Sequence, residues 1–512
     1  MTSLATSRTR LSLIDRWIAA LLDPQRQERT VVLSLAVYAA IWTAYRTIAT
    51  WPRDVHADVS ELYAWSRHLA FGYDKHPPFS ALVTRAWFSV VPVSDITFHL
   101  LATANIALTL YIAWRTMRRY LAPEKALFGL ALLTFIPFFN FIALKYNANA
   151  VLLPLWALTI YCFLRAFETR GWLWPALAGL FAGCAMLGKY WSIVLVGALG
   201  LGALLDARRG RFFASPAPWL MIVVGGLMLA PHLAWLVEHR FPSFAYAAAH
   251  ESDGLAHNAL DTLSYLAGCV GYAALALIVW AVLLRPSRAA LAESAWPADP
   301  QRRLIVTVQL LMLVAPAPVA LLTGVRIVPL WAMPAYTLLP IVLLSSPLIE
   351  VSRAALRKVL IGAVALALAI LAAAPGAAVV IHTTSHPEPY EYASLLADDI
   401  AKEWQRHSSQ PIGLVAGETV LAETTAYYLR TDTRAFETSD IAALKAEITA
   451  RGGALVCSAA DQPCLSVAEQ IVAGQPQILR SKVWLSRPLF GLAGGTVQDV
   501  FFLVLPDGSA TK

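Results

Sequence analysis

The chain has 512 residues, 58% of them hydrophobic and 14% charged, with a net charge of +7 and a mean hydropathy of +0.58. Soluble domains carry about 25% charge, so this composition excludes an ordinary water-soluble enzyme, which needs far more polar surface, and it excludes a disordered chain. The basic residues sit in short loops between apolar runs, a pattern of membrane topology rather than of nucleic-acid binding, and no nucleic-acid partner is expected.

Residues 1–29 hold the amphipathic stretch LSLIDRWIAALL, which reads as an interfacial helix on the cytoplasmic side. No cleavable signal is expected, because the first apolar run is long and lacks a small-residue cleavage site. A membrane-spanning helix needs about 20 apolar residues, and about eleven runs approach that length. They lie near 30–49, 95–114, 126–143, 149–166, 172–188, 190–206, 217–238, 262–284, 304–323, 329–347 and 357–381. Lys189 splits the stretch 172–206, since a lysine at mid-membrane is costly. Two segments are not spans. Residues 51–94 form a long loop rich in His, Asp and Trp, and loops of that length are usually functional. Residues 385–512 are polar and long enough for one small domain. There helical patterns at 391–407, 438–451 and 465–473 alternate with strands at 411–416, 453–457 and 499–505, which reads as α/β.

Alternate loops differ in charge. One set holds the N-terminal arginines, then Arg115, Arg118, Arg119 and Lys125, then Arg208, Arg209 and Arg211, with further arginines near 285–303 and 353–357. The other set is sparsely basic, so the first set faces the cytoplasm. The N-terminus is then inside, and an odd number of spans puts 385–512 outside.

The outside loop 51–94 contains DVSELYAWSRHLAFGYDKHPPFSA. If 58–70 is a helix, Asp58 and Glu61 share a face that Trp65 and His68 continue. Such a carboxylate pair suits a general base, metal ligation or sugar binding. A solvated helix face capped by Asp58 is the alternative. In GYDKHPP, Pro77-Pro78 stops the first helix and starts a second, which delivers Lys75 and His76 to the same surface. These two suit phosphate or metal binding, with plain loop solvation as the alternative. Lys145, Lys189 and Arg326 each place a cation on the outside, against the overall bias. Singly these are snorkelling side chains; with Lys75 and the acids they suggest a pocket for an anionic lipid headgroup. Tyr63, Trp65, Asn147 and Asn149 are the aromatic and amide groups assigned to sugar or acceptor binding. His232 reads as a helix-packing residue, and His250-Glu251 as a weaker candidate pair. Cys457 and Cys464, on the outside, are expected to form a disulfide. Cys162, Cys184 and Cys269 lie in apolar runs and read as inert.

Together DVSELYAWSRHLAFGYDKHPPFSA, NANAVLLPLWAL, AMLGKYWS and PHLAWLVEHRFPSF resemble the bacterial family 39/83 glycosyltransferases of the GT-C fold. That group includes the aminoarabinose transferase of lipid A, rhizobial galacturonosyltransferases and protein O-mannosyltransferases. The resemblance implies a polytopic helical membrane protein of the inner membrane, with a small C-terminal periplasmic α/β domain. It implies an inverting transferase that takes a sugar from a polyprenyl-phosphate donor to a periplasmic-facing acceptor such as lipid A or lipopolysaccharide core. Asp58 then matches the family's first-loop catalytic acid. Val59 stands where many members have a second acid, with Glu61 two residues further on. Lys75 and His76 match donor-phosphate or metal contacts, Lys189 a lysine of the family's turn, and Arg326 a phosphate contact by location. Asn149 replaces an aspartate of many members, which weakens metal binding there. No cofactor is required; a divalent metal at Asp58 and His76 is compatible with the residues. Rival readings are a protein O-mannosyltransferase-like enzyme and a lipid-linked-sugar flippase. The flippase would place ionisable residues at mid-membrane, whereas here they cluster at span ends.

Overall fold

The computed structural model describes residues 12–244, 254–436, 441–475 and 478–506; His250 and Glu251 lie outside these. The amphipathic stretch near the N-terminus is helical: α1 runs Leu13–Leu22, capped by Ser12. It lies against α2 (Gln27–Ala49), where the Trp17 indole donates to Ser34 Oγ at 2.9 Å.

Among the described residues, seven helices are long and apolar enough to cross a bilayer: α2, Asp95–Tyr120, Leu152–Thr169, Ala217–Glu238, Ala256–Leu284, Pro300–Thr323 and Arg353–Thr384. A further pair, Pro123–Leu133 and Pro137–Leu144, reaches spanning length only when taken together and bends by 88°, the geometry of a broken span or a re-entrant loop. The other three expected runs are shorter apolar helices, Leu173–Gly188, Tyr190–Leu205 and Pro329–Leu344. All eleven apolar runs are therefore helical, but fewer are full-length spans than the run count suggests. Local chemistry explains the shortfall. The break expected at Lys189 is present, with Lys189 extended between two helices that are each too short for a full span, and Pro329, Pro334 and Pro340 keep the 329–344 run largely in 3-10 form. Close helix packing uses glycine: a Cβ on Gly179 would lie 2.4 Å from the Met221 carbonyl oxygen of the facing helix.

The loop after α2 forms two helices, α3 (Ala57–Arg67) and α4 (Phe79–Phe88), before α5 (Asp95–Tyr120). The expected first helix at 58–70 is shorter, and Pro77-Pro78 does not end it. The helix stops at Arg67, and the chain then folds back so that the Tyr73 ring stacks on Trp65 at 4.6 Å. Gly72 is required there, because a Cβ would strike the Trp235 ring at 2.3 Å. The prolines do start the second helix, with Pro78 at its N-cap.

The tail carries a five-stranded sheet in the order β2-β1-β3-β5-β4. The strands are β1 (Leu414–Gly417), β2 (Asp432–Ala435), β3 (Gly453–Ser458), β4 (Ile478–Ser486) and β5 (Thr496–Val504). The first three are parallel and the last two pair antiparallel. One sheet face packs on Ala393–His407 and Thr419–Leu429, the other on Ile441–Arg451 and Gln462–Val472. The helix Thr419–Leu429 and strands β2 and β4 escaped the sequence pattern, since Thr419–Leu429 is buried nearly all round and β2 has only four residues. Cys457 and Cys464 are disulfide-bonded, their Cα atoms 5.8 Å apart.

Candidate active site

The site begins at the loop-facing end of α3. His56 caps that helix, its Nδ1 accepting the Asp58 N–H at 3.1 Å. His56 rather than Asp58 is the N-cap, so the Asp58 carboxylate is free to face outward from the first turn. There it meets the segment Lys145–Asn149, which leads into the helix Leu152–Thr169. Lys145 Nζ lies 3.0 Å from Asp58 Oδ2, and Asn147 Nδ2 donates to the same oxygen at 2.9 Å. Asn147 is fixed in that sense because its Oδ1 accepts the N–H groups of Asn149 and Ala150. Asn149 in turn accepts from Lys189 Nζ at 2.7 Å, and that ammonium sits 4.7 Å over the Trp331 ring. Lys189 is within electrostatic reach of Asp58.

One helical turn along α3, Glu61 pairs with Lys75 at 3.1 Å. His76 lies edge-on to Trp65, 6.1 Å between ring centres, and interacts electrostatically with Lys189, Lys75 and Asp58. The fold thus brings together Asp58, Glu61, Lys75, His76, Asn147, Asn149 and Lys189, with Trp65 as a wall. Three of the predicted residues lie elsewhere. Tyr63 is buried between Phe88 and Tyr427 and serves packing. Arg326 pairs with Asp261 at 3.4 Å. His68 turns to Asp432 of β2 rather than continuing the Asp58 face. His232 is a buried packing residue, held between the Tyr190 hydroxyl and the Phe71 carbonyl.

The two carboxylates sit in opposed environments. Burial works against a charge on Asp58, but the Lys145 ammonium, the Asn147 amide and His56 outweigh it and hold the carboxyl down at about 2. Burial raises the Glu61 carboxyl, the Lys75 ammonium offsets this only in part, and the Asp58 charge adds to the rise. Burial, then Lys145, lowers His56 to about 4. Burial, then Lys189 and Lys75, lowers His76 to about 3. Both imidazoles are therefore neutral at pH 7, so His76 offers a hydrogen bond and not a positive charge.

A divalent metal does not fit these residues. Asp58 Oδ2 is already taken by an ammonium and an amide, a second lysine, Lys189, lies within electrostatic reach of the carboxylate, and no three His, Cys, Asp or Glu groups converge on a metal position among the described residues.

Sequence reasoning missed the residues that hold α3 in place. The Asp54 carboxylate accepts from Ser394 N at 2.6 Å, Ser394 Oγ at 2.9 Å and Arg487 at 3.0 Å. Arg53 pairs with Glu391 at 2.9 Å, the Val55 N–H donates to the Tyr428 hydroxyl at 3.1 Å, and Ser60 Oγ lies 2.8 Å from Thr424 Oγ1. The Tyr390 ring lies edge-on to His56 at 6.4 Å. All of these partners belong to the tail, more than 300 residues away, so no local signal could reveal them. His56 was visible as a polar residue directly before a helical pattern.

Residues 75–235 match the family described as Dolichyl-phosphate-mannose-protein mannosyltransferase. The chain is 27% identical over 336 residues to the lipopolysaccharide core galacturonosyltransferase RgtA of Rhizobium johnstonii, covering 62% of this chain and 65% of that protein. It is 27% identical over 409 residues to RgtB, of the same description and organism, covering 76% and 79%. The chain thus spans just under two-thirds of the first relative. In structure it is similar to ArnT from Cupriavidus metallidurans bound to undecaprenyl phosphate, with a TM-score of 0.58 and 15% identity over 92% of this chain and 97% of that one.

Proposed function

We propose, from the premise that this chain is a GT-C-fold membrane protein related to lipopolysaccharide glycosyltransferases, that it is an inverting glycosyltransferase of the bacterial inner membrane. It moves a sugar from a polyprenyl-phosphate donor to a glycolipid acceptor, with the N-terminus cytoplasmic and the tail domain periplasmic. The observation that carries this reading is an ionised aspartate, Asp58, paired with Lys145 and within electrostatic reach of Lys189. Lys75 and Lys189 receive the donor phosphate, and their charge stabilises it as the bond to the sugar breaks. His76, neutral, donates a hydrogen bond to it. Asp58, oriented by Asn147 and Lys145, holds the acceptor hydroxyl on the opposite face of the sugar and takes its proton as the new bond forms. Glu61, with its raised carboxyl, holds Lys75 in place and is the nearest second proton acceptor. The names of the relatives support a lipopolysaccharide or lipid A acceptor over a protein.

The test is mass spectrometry of membrane glycolipids from a deletion strain complemented with wild type or Asp58→Asn. Loss of one sugar mass in the deletion, restored by wild type and absent with folded Asp58→Asn, is expected. Unchanged glycolipids in the deletion would sink the acceptor assignment, and full rescue by Asp58→Asn would sink the role given to Asp58.

A further inference from the structure

Strands β4 and β5 are joined by the segment RPLFGLAGG, residues 487–495. Within it Leu489 and Leu492 exchange two backbone hydrogen bonds, at 3.1 and 2.9 Å, and so close a two-residue turn over Phe490 and Gly491. Both turn residues have positive φ, 50° at Phe490 and 81° at Gly491. Such mirror-image turns favour Asn-Gly, because positive φ strains most L side chains and Asn tolerates it best. A phenylalanine there is unsuited to its backbone and has no polar atom to bond locally. It is also 79% exposed, and Leu492 beside it is exposed as well. The chain thus holds an aromatic ring at the tip of a polar domain against two local costs.

The position of the tip removes the conflict. His382 Nε2 donates to the Leu492 carbonyl at 3.3 Å, and the His382 ring fills the place that a Cβ on Gly494 would take. His382 stands near the end of the span Arg353–Thr384, opposite the end that carries Arg353, Arg357 and Lys358. A hydrocarbon core of about 20 residues counted from Lys358 ends close to Val380. The Val380 side chain is 58% exposed, as the lipid-facing Val364 and Leu368 of the same helix are also exposed. On its other side the base of the turn is tied to the end of α2. Arg487 donates to the Trp51 carbonyl at 3.5 Å and to Asp54 at 3.0 Å. Trp51 is exposed in turn, and an exposed Trp just past a span belongs at a membrane interface. Phe490 and Leu492 therefore continue the lipid-facing surface of two spans at one level.

We infer that the turn Leu489–Leu492 is a membrane anchor of the tail domain, with Phe490 and Leu492 inserted among the lipids of the tail-side leaflet beside Trp51 and Val380. The partner is the acyl-chain boundary of the surrounding bilayer. Transfer of the ring from water to lipid offsets the cost of its backbone conformation. Because Arg487 at the base of the turn holds Asp54, which leads into α3, the anchor also sets the depth of that entry relative to the bilayer.

The test reads depth without any substrate, so its result is independent of the glycosyltransferase reading. The full chain, in phosphatidylcholine nanodiscs, carries a nitroxide on one introduced cysteine: Phe490→Cys, Leu492→Cys or, as a water-facing reference, Glu469→Cys. Glu469 is exposed on the helix Gln462–Val472, which covers the sheet face away from α3. The native cysteines do not compete, since Cys162, Cys184 and Cys269 are buried and Cys457 is bonded to Cys464. Collision with oxygen reports lipid, and collision with a water-soluble nickel chelate reports water. Labels at 490 and 492 are expected about 5–10 Å below the headgroup level, and the label at 469 in water. Phe490→Asn keeps the turn, because Asn adopts positive φ readily, and is expected to raise nickel collision at a 492 label severalfold. Collision rates at 490 equal to those at 469 put the tip in water and overturn the proposal. A 492 label that stays sheltered in Phe490→Asn overturns the part given to Phe490. Shelter seen in discs with two chains and lost in discs with one would assign the tip to a second copy and overturn the lipid partner.

Discussion

Asp58 and Glu61 are three residues apart on one helix, yet their surroundings push their acidities in opposite directions. With Asp58 held at about 2, it remains ionised throughout the physiological range, and loss of activity on acidification above pH 4 belongs to another group. The raised carboxyl of Glu61 is that group in this reading. Lys145→Met removes the charge that opposes burial at Asp58, so the Asp58 carboxyl should move upward. The Asp58 carboxyl, followed by NMR titration, is then expected to titrate at higher pH than in wild type, while the Glu61 limb of the kcat/KM profile stays in place; an unmoved Asp58 titration would contradict the role of Lys145. Replacing Asp58 by Asn removes the proposed proton acceptor and should lower kcat by about 10²–10⁴-fold, with only a modest fall in unfolding temperature from the lost Lys145 pair. Asp58 and Lys189 were legible in the sequence because each is a charge out of place in an apolar chain. Tyr63 misled for the same local reason: an aromatic beside an acid resembles a sugar platform, and only its burial against Tyr427 shows a packing role.

At the scale of elements, α3 is a short helix steadied at its entry by long-range contacts and at its exit by a local one. Its entry is held by Asp54, Val55 and Ser60 against the tail, and its exit folds back through the Trp65–Tyr73 stack. Asp54→Asn weakens the Arg487 bond while keeping the shape of the side chain. A displaced Asp58 should lower kcat by about tenfold to a hundredfold and leave the KM for donor nearly unchanged, a split that steady-state kinetics reads directly. Loss of donor affinity instead would show that Asp54 acts on the phosphate end of the site. The helix pair Leu173–Gly188 and Ala217–Glu238 depends on Gly179 in a different way. A branched side chain there meets backbone and not a movable side chain. Gly179→Val should cost about 1–3 kcal/mol by overpacking, seen as a lower unfolding temperature in detergent.

At the scale of the molecule, the tail domain packs against the helix that carries the proposed site and also has a hydrophobic core of its own. Its helix Thr419–Leu429 touches α3, and its Tyr390 faces His56. Cys457 at the end of β3 is tied to Cys464 across a short loop. Short loops gain little from cross-linking. Cys464→Ser should therefore cost about 2 kcal/mol, and reductant should destabilise wild type but not the variant in thermal unfolding. A larger loss would mean that the sheet end depends on the bond for more than loop closure.

The sequence by itself determined the membrane character, the eleven apolar helical runs, the α/β nature of the tail, and the residues Asp58, Lys75, His76, Asn149 and Lys189 as a group. Those properties follow from hydropathy, period and misplaced charge, each of which is local or additive along the chain. Only the tertiary structure decided which runs are full spans, since the 88° bend between Pro123–Leu133 and Pro137–Leu144 and the 3-10 winding of 329–338 leave no mark on hydropathy. It decided that Asp58 is ionised and Glu61 is not held so low, because acidity depends on neighbours brought from Lys145 and Asn147. It also decided that the tail fixes the entry to α3, for hydrogen bonds between Asp54 and Arg487 leave no periodic trace in a chain where 433 positions separate them.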